Sequence, residues 1–443
     1  MNKKIIRSTL ILLILVGIVV VSQYPKLNLI SGFAAKNTAS TIFIAGRSLE
    51  SVIAYDNNVP LVKLAKSSYD STSKLASAEV YGMMQREAVC RDGLGCVLTN
   101  GEADPGRYAQ APRRNRRNTP LPYPFGHLPE MDTVFPLVDY AQLEMALNQV
   151  FEDTVKTRTT LVLYKGRILA ERYAEGFDKD TPVLGWSMTK SVLATLFGIL
   201  EYQGKLSVRD KAGLLAWQQD ERKEITLDHL LRMQSGLAWD ENYATISDVT
   251  RMLFMESNMA SSQAEKELVA APTEIWNYSS GTSNLLSGLL RDTFSTYGDY
   301  LNFPYEALVD RIGMHSMLIE TDLSGNFVGS SYAWASTRDW ARFGQLYLQM
   351  GDWNGEQIFH PDWVSYVSQP TVHSDGVYGA HFWLNAEGKF PDVPRDMYSA
   401  NGYQGQHVFI IPSKDLVVVR TGLAEAPQFD TNLFLGGLIR ALP

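Results

Sequence analysis

The chain has 443 residues, too many for one ordinary core and enough for two or three. Hydrophobic residues at 45% and charged residues at 20% are globular proportions, which excludes wholesale disorder. Lys plus Arg is 40 against 48 for Asp plus Glu; the net charge of −8 argues against a nucleic-acid partner, and two cysteines exclude a disulfide-dense scaffold and an all-cysteine zinc site.

The first predicted element is a membrane segment. Lys3, Lys4 and Arg7 precede an unbroken apolar run from Leu10 to Val21. A positive start before an apolar stretch is an export signal. The strict run is short of the ~20 residues that span a bilayer, but Ile5 to Tyr24 reaches that length if Arg7 sits near the interface. No convincing small-x-small cleavage site follows closely. Residues 1–35 therefore read as a single-pass signal anchor and juxtamembrane segment in the inner (cytoplasmic) membrane. The rest of the chain then lies in the periplasm or outside the cell. A cleaved signal is the alternative.

Residues 36–135 read as an N-terminal extension. It begins with short apolar patches such as Thr41 to Ala45 and ends in a Pro/Arg-rich linker. Arg107, Arg113, Arg114, Arg116 and Arg117 fall in that linker with five prolines, the composition of an exposed, extended, solvated segment. Between these, Cys90 and Cys96 flank Arg-Asp-Gly-Leu-Gly. The glycines let the loop fold back, so a disulfide is sterically open, and export would favour it. Two free thiols are the other reading.

From 136 to 443 the pattern is regular. Thr160 to Tyr164 and Arg167 to Ala170 flank Lys165-Gly166 as a β-hairpin. A helix starts near Ser187, with Val192, Leu193, Leu196, Phe197 and Leu200 at helical spacing and Gly204 at its end. A second helix is predicted over Thr226 to Gln234. A third opens at Ser336-Thr-Arg-Asp339, buries Trp340, Phe343, Tyr347 and Met350, and stops at Gly351. Val408 to Ile411 and Leu416 to Val419 flank Pro412-Ser-Lys-Asp415 as a second hairpin, and a helix runs from about Asp430 to Leu442. Strands early and late with helices between make an α+β arrangement: an antiparallel sheet built from both ends of the domain, flanked by helices, with a helical region inserted.

Three motifs carry chemistry. In Trp186-Ser187-Met188-Thr189-Lys190, Ser187 and Lys190 share one face of a first helical turn. A serine hydroxyl needs a base, and a lysine desolvated at a helix N-terminus can lose its charge and serve as one. A tyrosine beside that pair can relay the proton, and Tyr278, in Trp276-Asn-Tyr-Ser-Ser280-Gly281, is the candidate. Asn401-Gly402-Tyr403-Gln404-Gly405-Gln406 leads into an apolar strand, whose edge offers an N–H to pair with that of Ser187 in an oxyanion hole. Each motif alone has a bland reading: a capped helix, a packed aromatic, a turn.

Taken in order, Ser187-Met-Thr-Lys190, Asp228 to Gly236, Tyr278-Ser-Ser280 and Gly402-Tyr-Gln-Gly-Gln406 resemble the class C β-lactamase-like serine hydrolases. That superfamily holds penicillin-binding DD-peptidases, family VIII esterases and 6-aminohexanoate-dimer hydrolases. The likeness spans about 140–425, and Ala45-Gly-Arg-Ser48 and Gly93-Leu-Gly-Cys96 are similar to the N-terminal extension of aminohexanoate-hydrolase-like members. The resemblance implies a β-lactamase/transpeptidase-like fold with Ser187 as acylated nucleophile, Lys190 as its base or proton partner, and Tyr278 as general base and acid. It also implies an oxyanion hole from the N–H groups of Ser187 and Gln406, and substrate contacts from Ser280, Tyr403, Gln404 and Gly405.

Two departures bear on substrate. The tyrosine motif often ends in Asn, and here it ends in Ser280. The strand motif usually opens with a cation that holds a substrate carboxylate, and here it opens with Tyr403; Arg420 on the next strand is a candidate substitute. The expected activity is therefore an esterase or amidase acting on a small molecule, ahead of a DD-peptidase or β-lactamase, with a non-catalytic anchored binding protein as the reading from another class. No Cys/His spacing points to a metal, no cofactor motif is present, and His229 reads as structural. The absence of Gly-x-Ser-x-Gly argues against an α/β-hydrolase.

Overall fold

The computed structural model describes residues 3–99 and 104–443. Helix α1 (Lys3–Phe43) runs unbroken through Pro25. Most side chains of the expected anchor, residues 5–24, lie outside the described ones. Among the described residues no helix is long and apolar enough to cross a membrane. The second half of α1 is no tether. Leu29, Ile30, Phe33, Ala34, Ala35 and Ala39 are buried, so the helix continues through the 35/36 boundary as part of a core. Its small alanines let it lie close on an antiparallel meander: β1 (Ala65–Asp70), β2 (Leu75–Val80), β3 (Met83–Arg91) and β4 (Gly95–Leu98). Cys90 and Cys96 face each other across β3 and β4 and form a disulfide. The turn between them needs φ +72° at Gly93 and +67° at Gly95, which glycine supplies at no steric cost.

The Pro/Arg-rich stretch was expected to be solvated. Residues 100–103 lie outside the described ones, and much of the rest is tied down. The Arg114 guanidinium donates twice to Asp310 Oδ1, at 2.9 and 2.7 Å, and the Asn115 N–H donates to Asp310 Oδ2 at 2.6 Å. Arg117 pairs with Glu356, and buried Tyr123 donates to the Arg338 carbonyl at 2.9 Å. Arg113, Arg114 and Arg117 find carboxylates on the following domain, so the segment, largely exposed as expected, straps that domain.

The main elements of the domain from 136 onward follow in order. They are α2 (Tyr140–Val150), β5 (Thr157–Tyr164), β6 (Arg167–Tyr173), β7 (Pro182–Leu184), α3 (Met188–Tyr202), α4 (Asp248–Met255), α5 (Ser280–Asp292), β8 (Leu318–Ile319), β9 (Ala333–Ser336), α6 (Thr337–Leu348), β10 (Trp383–Leu384), β11 (Tyr398–Gly402), β12 (Gln406–Ile411), β13 (Leu416–Gly422) and α7 (Thr431–Arg440). The main sheet is antiparallel in the order β10-β11-β12-β13-β5-β6, so the last strand lies beside the first with Val418 opposite Val162. Both expected hairpins are present. Lys165 and Gly166, at φ 52° and 69°, make the two-residue turn of the first. Alternate side chains face opposite layers: Leu161, Leu163, Val417 and Val419 join the core with α3 and α6, while Val162, Phe409 and Val418 pack against α2 and α7.

Two helix boundaries differ from expectation. The helix predicted over 226–234 spans only Leu227–Leu231. Thr226 and His229 cap it reciprocally, the Thr226 N–H donating to His229 Nδ1, which gives His229 its structural role. Met233, at φ 59°, turns the chain out. Ser336 caps α6 by accepting from the Asp339 N–H, and Trp340, Phe343 and Tyr347 are buried as expected. Met350 is exposed, because it lies past the helix end at φ 55°.

The extension meets the following domain at Glu320, which is fully buried. Glu320 accepts from Lys36 Nζ at 2.7 Å, Ser40 Oγ at 2.9 Å, the Cys96 N–H at 2.7 Å and Trp334 Nε1 at 3.0 Å. Removing one partner of such a pair strands a charge in low dielectric. Lys36→Met is expected to cost about 3–5 kcal/mol of stability. The midpoint of chemical denaturation measures it, and an unchanged midpoint would show that the pair holds nothing together.

Candidate active site

Strand β7 ends at Leu184, and the Gly185 N–H donates to the Ala333 carbonyl of β9 at 2.8 Å. Trp186 then takes φ 46°, a conformation that costs a bulky residue of order 1–3 kcal/mol. Its indole is wedged among Phe33 of α1, Tyr243, Tyr332 and Tyr403, at ring distances of 6.2, 6.4, 6.1 and 5.4 Å. This wall holds the turn that presents Ser187 at the start of α3. The Ser187 side chain makes no cap hydrogen bond, which leaves Oγ free for Lys190.

Lys190 is 1% exposed. Its Nζ donates to Ser187 Oγ at 2.9 Å, Ser280 Oγ at 2.9 Å and the Ser330 carbonyl at 3.0 Å. Burial lowers its pKa to about 8, while the Glu241 carboxylate pulls the other way. Tyr278 places its ring centroid 4.9 Å from Nζ. Burial, then Glu241, raise the Tyr278 pKa well above the ordinary phenol value, and the Ser187 hydroxyl only partly offsets them. The phenol is therefore neutral near pH 7 and suited to donate a proton, while the amine is the group that can be emptied. His381, buried nearby, donates from Nδ1 to the Leu231 carbonyl and accepts from the Ser283 hydroxyl at Nε2, and burial drops its pKa to about 3.

These groups open on a cleft of about 740 Å³, lined among others by Ser187, Glu241, Tyr243, Tyr278, Trp383 and Tyr403. Ser187, Lys190, Tyr278 and Tyr403 thus come together as expected. Four other positions do not behave as the motif comparison implies. Ser280 is fully buried and does not line the cleft; its hydroxyl lies between Lys190 and Glu241. Gln404 and Gln406 border a separate small cavity with Arg47, Asp56 and Arg158, while Gly405 is buried in the turn between them and lies outside the cleft lining. The Gln406 amide is spent on Gly422 and the Tyr403 carbonyl. Gly402 is the strand residue against Ser187. A Cβ there would lie 2.1 Å from Gly185 O and 3.1 Å from Ser187 N, so only glycine lets the strand come this near. The next residue, Tyr403, lines the cleft, and Gln406 does not.

Arg420 does not substitute for the missing cation. It is fully buried and its Nη atoms donate to the carbonyls of Gly405 at 2.7 Å, Ala424 at 3.0 Å and Val155 at 2.7 Å. It braces the Tyr403–Gly405 turn from behind. Among the described residues lining the cleft, the acids are Glu241, Glu425 and Asp430, and Lys389 is the one Lys or Arg.

Sequence reasoning missed Glu241 and Tyr243. Glu241 accepts from Trp239 Nε1 at 2.5 Å, from the Ser280 N–H at 2.8 Å and, by a very short contact, from the Ser280 hydroxyl. Tyr243 stacks on Tyr403 at 5.0 Å and 12°. Both sit in Trp239-Asp-Glu-Asn-Tyr243, a polar loop with no periodicity or motif to single it out.

Solved structures share this architecture. A Bacillus anthracis protein provisionally named a 6-aminohexanoate-dimer hydrolase is 20% identical, with a TM-score of 0.56 over 67% of this chain and 80% of its own. A family VIII carboxylesterase is 14% identical, with a TM-score of 0.52 over 71% of this chain and all of its own. A penicillin-binding protein from Bacillus halodurans is 16% identical, with a TM-score of 0.52 over 66% of this chain and 99% of its own. At these identities the likeness establishes the fold. The Beta-lactamase family model matches residues 147–426, a stretch that runs from the end of α2 through β13 and takes in Ser187, Lys190, Tyr278 and Tyr403, and on that match the chain belongs to the beta-lactamase family.

Proposed function

We propose that this protein is a serine hydrolase that cleaves an ester or amide bond of a small neutral substrate through an acyl-enzyme on Ser187. The observation that carries the reading is the buried Lys190 amine, 2.9 Å from the Oγ of Ser187, which lines the cleft. Neutral Lys190 takes the Ser187 proton as Oγ adds to the substrate carbonyl. The N–H groups of Ser187 and Tyr403 receive the oxyanion. Neutral Tyr278 hands a proton to the leaving group, and water then releases the acyl group through the same network.

The acidic cleft and the inward-turned Arg420 support neutral substrates over penicillins or peptide termini, whose carboxylate would meet Glu241, Glu425 and Asp430. A DD-peptidase or β-lactamase is the second reading, favoured only by the family match. We also assign the domain to the outside of the cytoplasm, held at the inner membrane by the N-terminal segment; the cations before the apolar run and the Cys90–Cys96 disulfide support this. No nucleic acid, metal or cofactor enters the scheme.

Ser187→Ala is expected to abolish both turnover of a short-chain p-nitrophenyl ester and labelling by a serine-directed phosphonate, with mass mapping placing the wild-type adduct on Ser187. An adduct on another serine would sink the reading. Because the base is neutral Lys190, turnover should rise with pH through about 8 and fall roughly tenfold per pH unit below it. A kcat/KM profile flat from pH 6 to 9 would remove Lys190 as base. Tyr403→Lys should shift preference toward carboxylate-bearing β-lactams, since a charge-assisted hydrogen bond becomes available. Penicillin hydrolysis by the wild type at the rate of its best ester would reverse the substrate ranking.

A further inference from the structure

We propose that Ser280 and Glu241 form the route by which the proton collected at Lys190 leaves the active site. The inference rests on the hydrolase reading above and adds two positions to it that no motif assigns to proton transfer.

Hydrolysis of an ester at neutral pH releases a proton: ester and water become carboxylate, alcohol and H⁺. In acylation the Oγ–carbon bond forms and the Ser187 proton passes to neutral Nζ. The alcohol departs with a proton as its bond to the acyl carbon breaks. In deacylation water adds to that carbon, Oγ leaves with one of the water protons, and the proton of the product acid stays in the network. Lys190 must shed it before the next cycle, and at 1% exposure it does not meet solvent itself.

Its three hydrogen bonds define the exits. Ser187 leads back into the reaction. The Ser330 carbonyl accepts but has no proton to hand on. The Ser280 hydroxyl accepts from Nζ and donates to Glu241 Oε1. The chain is therefore already polarised outward, from N–H to O–H to carboxylate. When Nζ passes its proton to Ser280 Oγ, the Ser280 proton moves to Oε1, the amine is neutral again, and Glu241 gives the proton to water in the cleft it lines. Trp239 Nε1 and the Ser280 N–H both bind Oε2, which keeps Oε1 turned to the hydroxyl.

The neighbouring titratable groups do not compete. Tyr278, Tyr243 and Tyr378 surround Glu241, and burial raises the pKa of each above the ordinary phenol range. His381, behind Lys190, is held neutral by burial. This arrangement also gives physical content to the Ser at the end of the tyrosine motif: a hydroxyl can both accept and donate along one line.

The test compares one acylation with many turnovers in Ser280→Ala and the isosteric Glu241→Gln. Phosphonate labelling of Ser187 at pH 9, where Lys190 starts neutral, should stay within about threefold of wild type, while steady-state ester turnover falls roughly ten- to hundredfold. Added imidazole should restore much of the Glu241→Gln loss, and the acid limb of that variant should move to lower pH, because Glu241 raises the Lys190 pKa. Turnover within twofold of wild type in both variants from pH 6 to 10 would overturn the route and leave the hydrolase reading intact. Labelling lost in step with turnover, in a natively folded variant, would also overturn it, by showing that these residues only shape the site. If Ser280→Ala does not fold, Glu241→Gln decides alone. Retained turnover in Ser187→Ala would instead fail the hydrolase reading itself.

Discussion

A lysine with three partners and almost no water is the constraint on which this site depends. Lys190 is fixed by two hydroxyls and a carbonyl contributed by the start of α3, the start of α5 and the loop before β9. Each of those elements must be in place for the amine to be satisfied, and the cost of an unsatisfied buried donor enforces the arrangement. The loop is itself held by α5, since Asn284 Oδ1 accepts the Ser330 N–H at 3.1 Å. The site and the packing of the inserted helical region are thus one problem: moving α5 would both loosen the core and pull Lys190 away from Ser187.

The same economy appears on the other side of Ser187. Trp186 occupies a backbone conformation that its side chain disfavours, and rings from four separate parts of the chain hold it there. One of those rings, Phe33, comes from the N-terminal helix. The Lys36–Glu320 pair anchors that helix one turn away, and Lys36 lies 4.1 Å from the Tyr332 ring centroid, another member of the wall. The extension is therefore a supporting layer of the active site.

What was legible in the sequence divides along physical lines. The hairpins at 160–170 and 408–419, the helix after Ser187 and the capped helix at 336 rest on local signals, alternation and capping, and those signals decide local structure. The Ser187–Lys190 pair was legible for the same reason, since three residues of helix bring both to one face. Glu241 was not, because its partner Ser280 is distant in the chain and nothing in a polar loop marks which carboxylate turns inward. Tyr403 lines the cleft and Gln406 does not, because the turn at Gln404 and Gly405, with φ 63° and 79°, carries Gln406 to a separate cavity. Arg420 read as a spare cation on a strand. In the folded chain it is consumed by four carbonyl contacts and a threonine, a burial that no count of charges reveals.

The continuity of α1 sets how much of the N-terminus the fold can spare. Secondary structure shows no seam between Lys3 and Phe43, yet the helix changes character near Leu29, where its side chains pass from exposed or half-buried to buried. Shortening the chain to that point would leave the buried half of the helix in place. Shortening it by one further turn and more would take away Phe33, Ala34 and Lys36, and with them the backing of Trp186 and the only cation on Glu320 among the described ion pairs. The buried core therefore begins inside a single helix, at a place fixed by burial alone.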